Sequence, residues 1–296
     1  MIRAKATRVA PRGAVALTGV FVFGLASVLT GCTATAVSTQ SDGRVVISGA
    51  ARLDEATDSV GLPMDKYAGP QDTVIFRAQQ LAQRQCMIAK GFTWQVSTFQ
   101  GVDNPVGFRG FGLWDMTDAV QYGYGIRPDP AGEAIRALNH NLSTAAQAAA
   151  DKCSLAGQAK FVDPRGNGMS ASSATSASSL SGQAFRNTLN DPTAKKLITA
   201  WQKCMTSKAI TLNAGRSGPL MADVDVSVTP LEQQIKIAVQ EVTCKTTAPS
   251  IIQQLVDIEA SYEMVSIGKY QTVLNAQLAK FMVVYDAAKK YIADNG

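Results

Sequence analysis

Apolar residues recur at three- and four-residue spacing through most of this chain, the pattern of helices that each bury one face. Over 72–90 the set Val74, Ile75, Ala78, Leu81, Ala82, Cys86 and Ile88 predicts a helix, ended by Gly91 with Lys90 in its last turn. Residues 115–121 predict a short helix. Residues 131–157 predict an Ala-rich helical segment, interrupted near Asn139-His140-Asn141, with Ser143 capping the second piece. Helix resumes at Pro192 and runs to Ser207 on the stripe Leu197, Ile198, Trp201, Cys204 and Met205. Thr229-Pro230-Leu231-Glu232 has the residues of a capping box and opens a helix to about Lys245. Pro249-Ser250 then starts the longest helix, reaching Asp294. One stripe (Ile251, Leu255, Ile258, Tyr262, Val265) gives way at 266–268 to a second, offset one (Ile267, Tyr270, Leu274, Leu278, Phe281, Tyr285, Ile292). Unbroken, this helix would span ~66 Å, so its distal half is expected to bend, protrude or pair with a second copy.

The N-terminus breaks the periodicity. Arg3, Lys5, Arg8 and Arg12 precede an apolar run that closes on Leu29-Thr30-Gly31-Cys32. The run is near the lower length limit for a membrane span, so the junction decides. Leucine three before a cysteine, then two small or polar residues, describes a bacterial lipoprotein signal over 1–31, with cleavage before Cys32 and acyl chains on Cys32. The expected location is the extracytoplasmic face of the cell membrane. The signal also changes the charge. The whole chain carries +5 from 28 basic and 23 acidic residues, and four of the basic ones are those just named, so the remainder carries 24 against 23, or +1. That balance gives no case for nucleic-acid binding. Residues 32–60, rich in Thr, Ser and Ala, read as a flexible tether. A first helical unit (61–162), a Ser/Ala/Gly-rich linker or surface loop (163–183) and a second unit with the long helix (184–296) follow.

Four cysteines remain after Cys32: Cys86, Cys153, Cys204 and Cys244. An even number in an exported chain points to disulfides, and spacing alone leaves three connectivities open. An internal echo favours one of them. Cys86-Met-Ile-Ala-Lys-Gly-Phe-Thr-Trp94 aligns without gaps on Cys204-Met-Thr-Ser-Lys-Ala-Ile-Thr-Leu212. Each copy has a further cysteine downstream in a helical pattern. Two related units, each stapled within itself by Cys86–Cys153 and Cys204–Cys244, is the economical reading. The fold class is therefore mainly α: a disulfide-stapled helical bundle of two related units, with an aromatic and Gly-rich loop and a long C-terminal helix.

Leu62-Pro63-Met64-Asp65-Lys66-Tyr67, the Cys86-Met…Gly91-Phe92 helix end, Gly112-Leu113…Tyr122-Gly-Tyr124, Trp201…Cys204-Met205 and Ile237-Ala-Val-Gln-Glu-Val-Thr-Cys244-Lys245 resemble a family of secreted and lipid-anchored actinobacterial proteins. The resemblance implies an extracytoplasmic helical protein with paired cysteines, and implies no activity. Ala209 departs from the pattern, which has Gly there, so the sharp helix end after Lys208 is in question.

The loop over 92–128 holds eight of the chain's 20 aromatic residues. Trp94, Trp114, Tyr122 and Tyr124 are the candidate ligand-binding residues, since exposed rings bind sugars and peptides; packing of the rings as a loop-built core is the competing reading. His140 is the single histidine, and no CxxC, CxxH, HExxH, Walker or nucleophile-elbow pattern occurs. No catalytic or metal residue and no cofactor is expected: Asp115 and Asp118 lie three apart on a possible helix, the spacing of a carboxylate pair, but the first reads as serving the helix N-terminus. The functional expectation is an anchored envelope scaffold or interaction protein without enzymatic activity. The alternatives are a binding module for cell-wall glycan or peptide built on the aromatic loop, and a cell-wall hydrolase. Expected partners are the membrane, through the anchor, then peptidoglycan or another envelope protein, with self-association through the C-terminal helix.

Overall fold

The computed structural model describes residues 37–39, 45–54, 59–70, 73–96, 110–128, 130–164, 174–212 and 220–296. The signal segment, Cys32 and residues 165–173 of the 163–183 stretch lie outside the described residues. Two short antiparallel hairpins come first, β1 (Val37–Thr39) with β2 (Val45–Ile47), and β3 (Arg52–Asp54) with β4 (Ser59–Gly61). Helices follow: α1 (Asp65–Ala68), α2 (Thr73–Ala89), α3 (Met116–Tyr122), α4 (Pro130–His140), α5 (Thr144–Lys160), α6 (Ala177–Asn190), α7 (Pro192–Ser207), α8 (Leu231–Thr246) and α9 (Ile251–Asn295). The fold is mainly helical. Residues 35–296 form one compact unit.

Both disulfides join helices in the expected pairs, Cys86–Cys153 between α2 and α5 and Cys204–Cys244 between α7 and α8. The echo extends to the backbone. After α2, Gly91 N–H donates to Ile88 O (2.9 Å) and Phe92 N–H to Met87 O (3.0 Å); after α7, Ala209 N–H donates to Thr206 O (3.0 Å) and Ile210 N–H to Met205 O (3.2 Å). These are the same helix-ending bonds at matching positions, and both require a left-handed residue. Gly91 supplies it with φ of 80° and Ala209 with φ of 56°. The sharp end after Lys208 therefore exists despite the alanine. Met87 and Met205, one residue past each stapled cysteine, are both fully buried.

Three expectations need correction. Of the expected 32–60 tether, residues 45–54 and 59–60 are not free: Ala51 is buried in the main core, and Val46, Leu53 and Val60 pack against it. Helix does not wait for Pro192 to resume: α6 begins at Ala177, inside the stretch expected to be a linker or surface loop. Ser176 caps α6, accepting a hydrogen bond from Ser179 N–H (3.2 Å), and Leu180, Ala184 and Thr188 bury its inner face. Thr229 does not form a capping box. Pro230, extended at ψ of 142°, occupies the cap position without a side-chain bond, so Glu232 falls one residue short of its capping place and pairs with Lys236 at 2.7 Å.

α9 neither protrudes nor breaks. Its first part packs on α7, α8 and β2, its middle on α1 and α6, and its end on α2. The change of stripe at 266–268 marks the passage from one core to the next. Leu255, Val256 and Ile258 belong to the main cluster, Leu274 to the cluster around Met64 and Tyr67, and Phe281 and Ala288 to that around Ile75 and Ala78. Every residue from Leu255 to Ser261 is buried, so here the helix is covered on all sides.

Candidate functional site

The aromatic loop divides between two cores. Phe92 and Trp94 follow the end of α2 and pack with Cys86, Met87, Ala149 and Cys153. Trp94 is half-buried and its indole N–H is enclosed without a partner. Phe99 and Phe108 fall outside the described residues. Beyond them Phe111 and Trp114, 0% and 2% exposed, enter the core formed by α7, α8 and α9, with Tyr124 packed beside them. Tyr122 is half-buried on α3. The four candidate aromatics thus do not share one open face: Trp94 stands on the α2–α5 pair, whereas Trp114 and Tyr124 are committed to the second pair. Asp115 caps α3 by accepting from Asp118 N–H (2.7 Å), and Asp118 takes the Arg127 guanidinium at 2.8 Å. His140 is exposed at the end of α4.

What holds the returning loop is a buried ion pair on α8. Glu241 and Lys245 are 0% exposed and 2.6 Å apart. The ammonium also donates to Leu113 O (2.9 Å) and Leu220 O (2.7 Å), which uses all three of its protons. The carboxylate accepts from Leu113 N–H (3.2 Å), Ala222 N–H (3.0 Å) and the Tyr124 hydroxyl (2.5 Å). One pair therefore ties both sides of the 113 and 220–222 strands of loop, and the Lys245 ammonium also lies 5.4 Å from the Trp201 ring centre. Removing either charge would strand the other in an apolar setting. Gly112, at φ of 74°, makes the approach possible: a Cβ there would lie 2.1 Å from Leu220 O and 2.6 Å from Lys245 Nζ.

A second polar cluster occupies the enclosed part of α9. Asp257 accepts from Gly49 N–H (2.9 Å) and Ala51 N–H (3.1 Å), pinning the hairpin segment. Glu263 accepts from Met64 N–H (2.8 Å) and the Ser181 hydroxyl (2.7 Å), joining the turn before α1 and helix α6 to α9. Asp65 accepts from Leu62 N–H at 2.7 Å. Glu259, one turn before Glu263, is 3% exposed and has a carboxylate oxygen, Oε2, with no partner. Loss of hydration pushes its carboxyl up to about 8, and the charges of Glu263 and Asp65 push the same way. Burial likewise raises Glu263, against the two bonds it accepts; Asp65, exposed on its turn, is raised by partial loss of hydration against its bond from Leu62.

Sequence reading passed over these residues. Glu241 and Lys245 are spaced as an ordinary surface i,i+4 pair, and Asp257, Glu259 and Glu263 alternate with the apolar stripe of α9. The usable signal was the density of apolar residues around each, which leaves the charges no solvent face. Among the described residues, no group of three or more His, Cys, Asp or Glu side chains is placed to hold a metal ion, and no helix is long and apolar enough to cross a membrane. A shallow depression of about 400 Å³ lies on the exposed face of α7, lined by Lys195, Lys196, Thr199, Ala200 and Lys203. Compared with known protein families, with curated proteins and with solved structures, the chain finds no match in any of the three.

Proposed function

We propose that this chain is a lipid-anchored scaffold or interaction protein on the extracytoplasmic face of a bacterial membrane, without enzymatic activity. The observation that carries the reading is how the buried ionisable groups are used. Glu241, Lys245, Asp257 and Glu263 each hold backbone groups of an irregular segment in place. A catalytic group, by contrast, must face substrate with reactive capacity to spare. The disulfides support an oxidising compartment, and the Leu29-Thr30-Gly31-Cys32 junction supports the anchor. The commitment of Trp114 and Tyr124 to the core favours a scaffold over a glycan-binding module.

Metabolic labelling with an alkyne fatty acid tests the anchor: label on the full chain and none on Cys32→Ala is the expected result. Sedimentation of the Cys32→Ala chain with purified peptidoglycan tests the scaffold reading, which expects the protein to stay in solution. Label that persists without Cys32, or sedimentation that Trp94→Ala abolishes, overturns the corresponding part.

A further inference from the structure

We propose that Glu259 is a proton-operated latch between α9 and the 62–68 segment: neutral, it lets the contact close; ionised, it drives that segment off the helix. The geometry has three parts. Glu259 is enclosed and its Oε2 accepts no hydrogen bond. The contact is held by neighbours of like sign, since Glu263 receives Met64 N–H at 2.8 Å and Asp65 sits on the same turn. Lastly, α1 is a single turn of four residues, seated by Met64 and Tyr67 in a small apolar cluster with Leu180 and Leu274.

Among the described residues, no cation is paired with Glu259, Glu263 or Asp65. From the α1 side come Asp65, Lys66 and Tyr67. Lys66 is exposed, with its ammonium 5.5 Å from the Tyr67 ring centre. α6 carries Arg186, which lies over Gly182 of its own helix. α9 itself contributes Glu263, Tyr262, whose hydroxyl donates to Asp191 (3.2 Å), and Asp257, which holds Gly49 and Ala51. α7 offers Lys195, Lys196 and Lys203 only on its exposed face, at the shallow depression. Burial opposes the ionisation of Glu259 first, and the charges of Glu263 and Asp65 oppose it further.

The sign follows from linkage. The folded protein keeps a proton on Glu259 up to about pH 8, whereas the unfolded chain loses it near 4.5. Between those values the folded state binds more protons, so its stability is highest at the acid end and declines as pH rises.

The test uses the purified full chain and Glu259→Gln, which keeps the shape and removes the charge. Urea unfolding is followed from pH 5 to 9. Relative to the variant, the wild-type unfolding constant is expected to grow on the order of a hundredfold or more across that range. Parallel curves for the two proteins overturn the proposal. Hydrogen exchange of the wild type alone gives a second readout that does not need the variant to fold. After correction for intrinsic rates, amides of 62–68 are expected to exchange faster at pH 9 than at pH 6, and to lose protection at lower pH than those of α7 and α8, which open only with the whole protein. Equal protection of 62–68 at both pH values overturns the latch.

Discussion

Ala209 sits in a conformation that its Cβ disfavours, φ of 56°, because the helix-ending bonds from Ala209 and Ile210 demand it. A left-handed non-glycine residue costs about 1–2 kcal/mol. Ala209→Gly should therefore stabilise the protein by about 1 kcal/mol, less the added freedom of the unfolded chain, and Gly91→Ala should destabilise it by a similar amount; chemical denaturation measures both. Gly112 has a stricter role, since a side chain there meets Leu220 O and the Lys245 ammonium. Gly112→Ala should cost about 2–4 kcal/mol, within the range of strained buried substitutions. Lys245→Met leaves the Glu241 charge enclosed and should cost about 3–5 kcal/mol. Adding Glu241→Gln should restore part of that loss, which a double-mutant cycle reads directly. Gly91 was legible as a helix stop, whereas the roles of Gly112, Glu241 and Lys245 were not visible from residue type. Glu241 and Lys245 look like solvated helix charges until the loop at 111–114 is known to cover them.

At the scale of elements, periodicity carried the long helices and failed where local chemistry overrode it. α2, α5, α7, α8 and α9 lie close to where apolar stripes place them, and Ser143 caps α5 as its position suggests. α6 was hidden because its Ser-rich start resembles a linker, although Leu180, Ala184 and Thr188 keep helical spacing inside it. The hairpins were hidden because each strand has only three residues, too few for alternation to register. Their anchor, Asp257, lies more than 200 residues away in sequence. The pairing of the staples was legible because the nine-residue echo is a real structural repeat, from buried methionine to left-handed stop. The two disulfides close loops of 67 and 40 residues. Because loop entropy grows only logarithmically, replacing either pair by alanines should cost about 4 kcal/mol in each case, checked by urea unfolding of the two double variants.

On the scale of the whole molecule, α9 gathers what would otherwise be separate parts. The α2–α5 pair packs on its end, α6 and α1 on its middle, and α7 and α8 on its start. The aromatic loop adds a second tie, since chain that leaves the first stapled pair at Trp94 returns inside the core of the second at Phe111 and Trp114. Two units read from the sequence are therefore two stapled pairs on one spine, an arrangement that suits the scaffold role proposed above. Hydrogen exchange read by mass spectrometry across a urea series tests this most directly. The account predicts that core amides of α2 and α5 lose protection together with those of α7, α8 and α9, at one midpoint. Loss of protection in the α2–α5 pair at a lower urea concentration, while α7 and α8 stay protected, would contradict it.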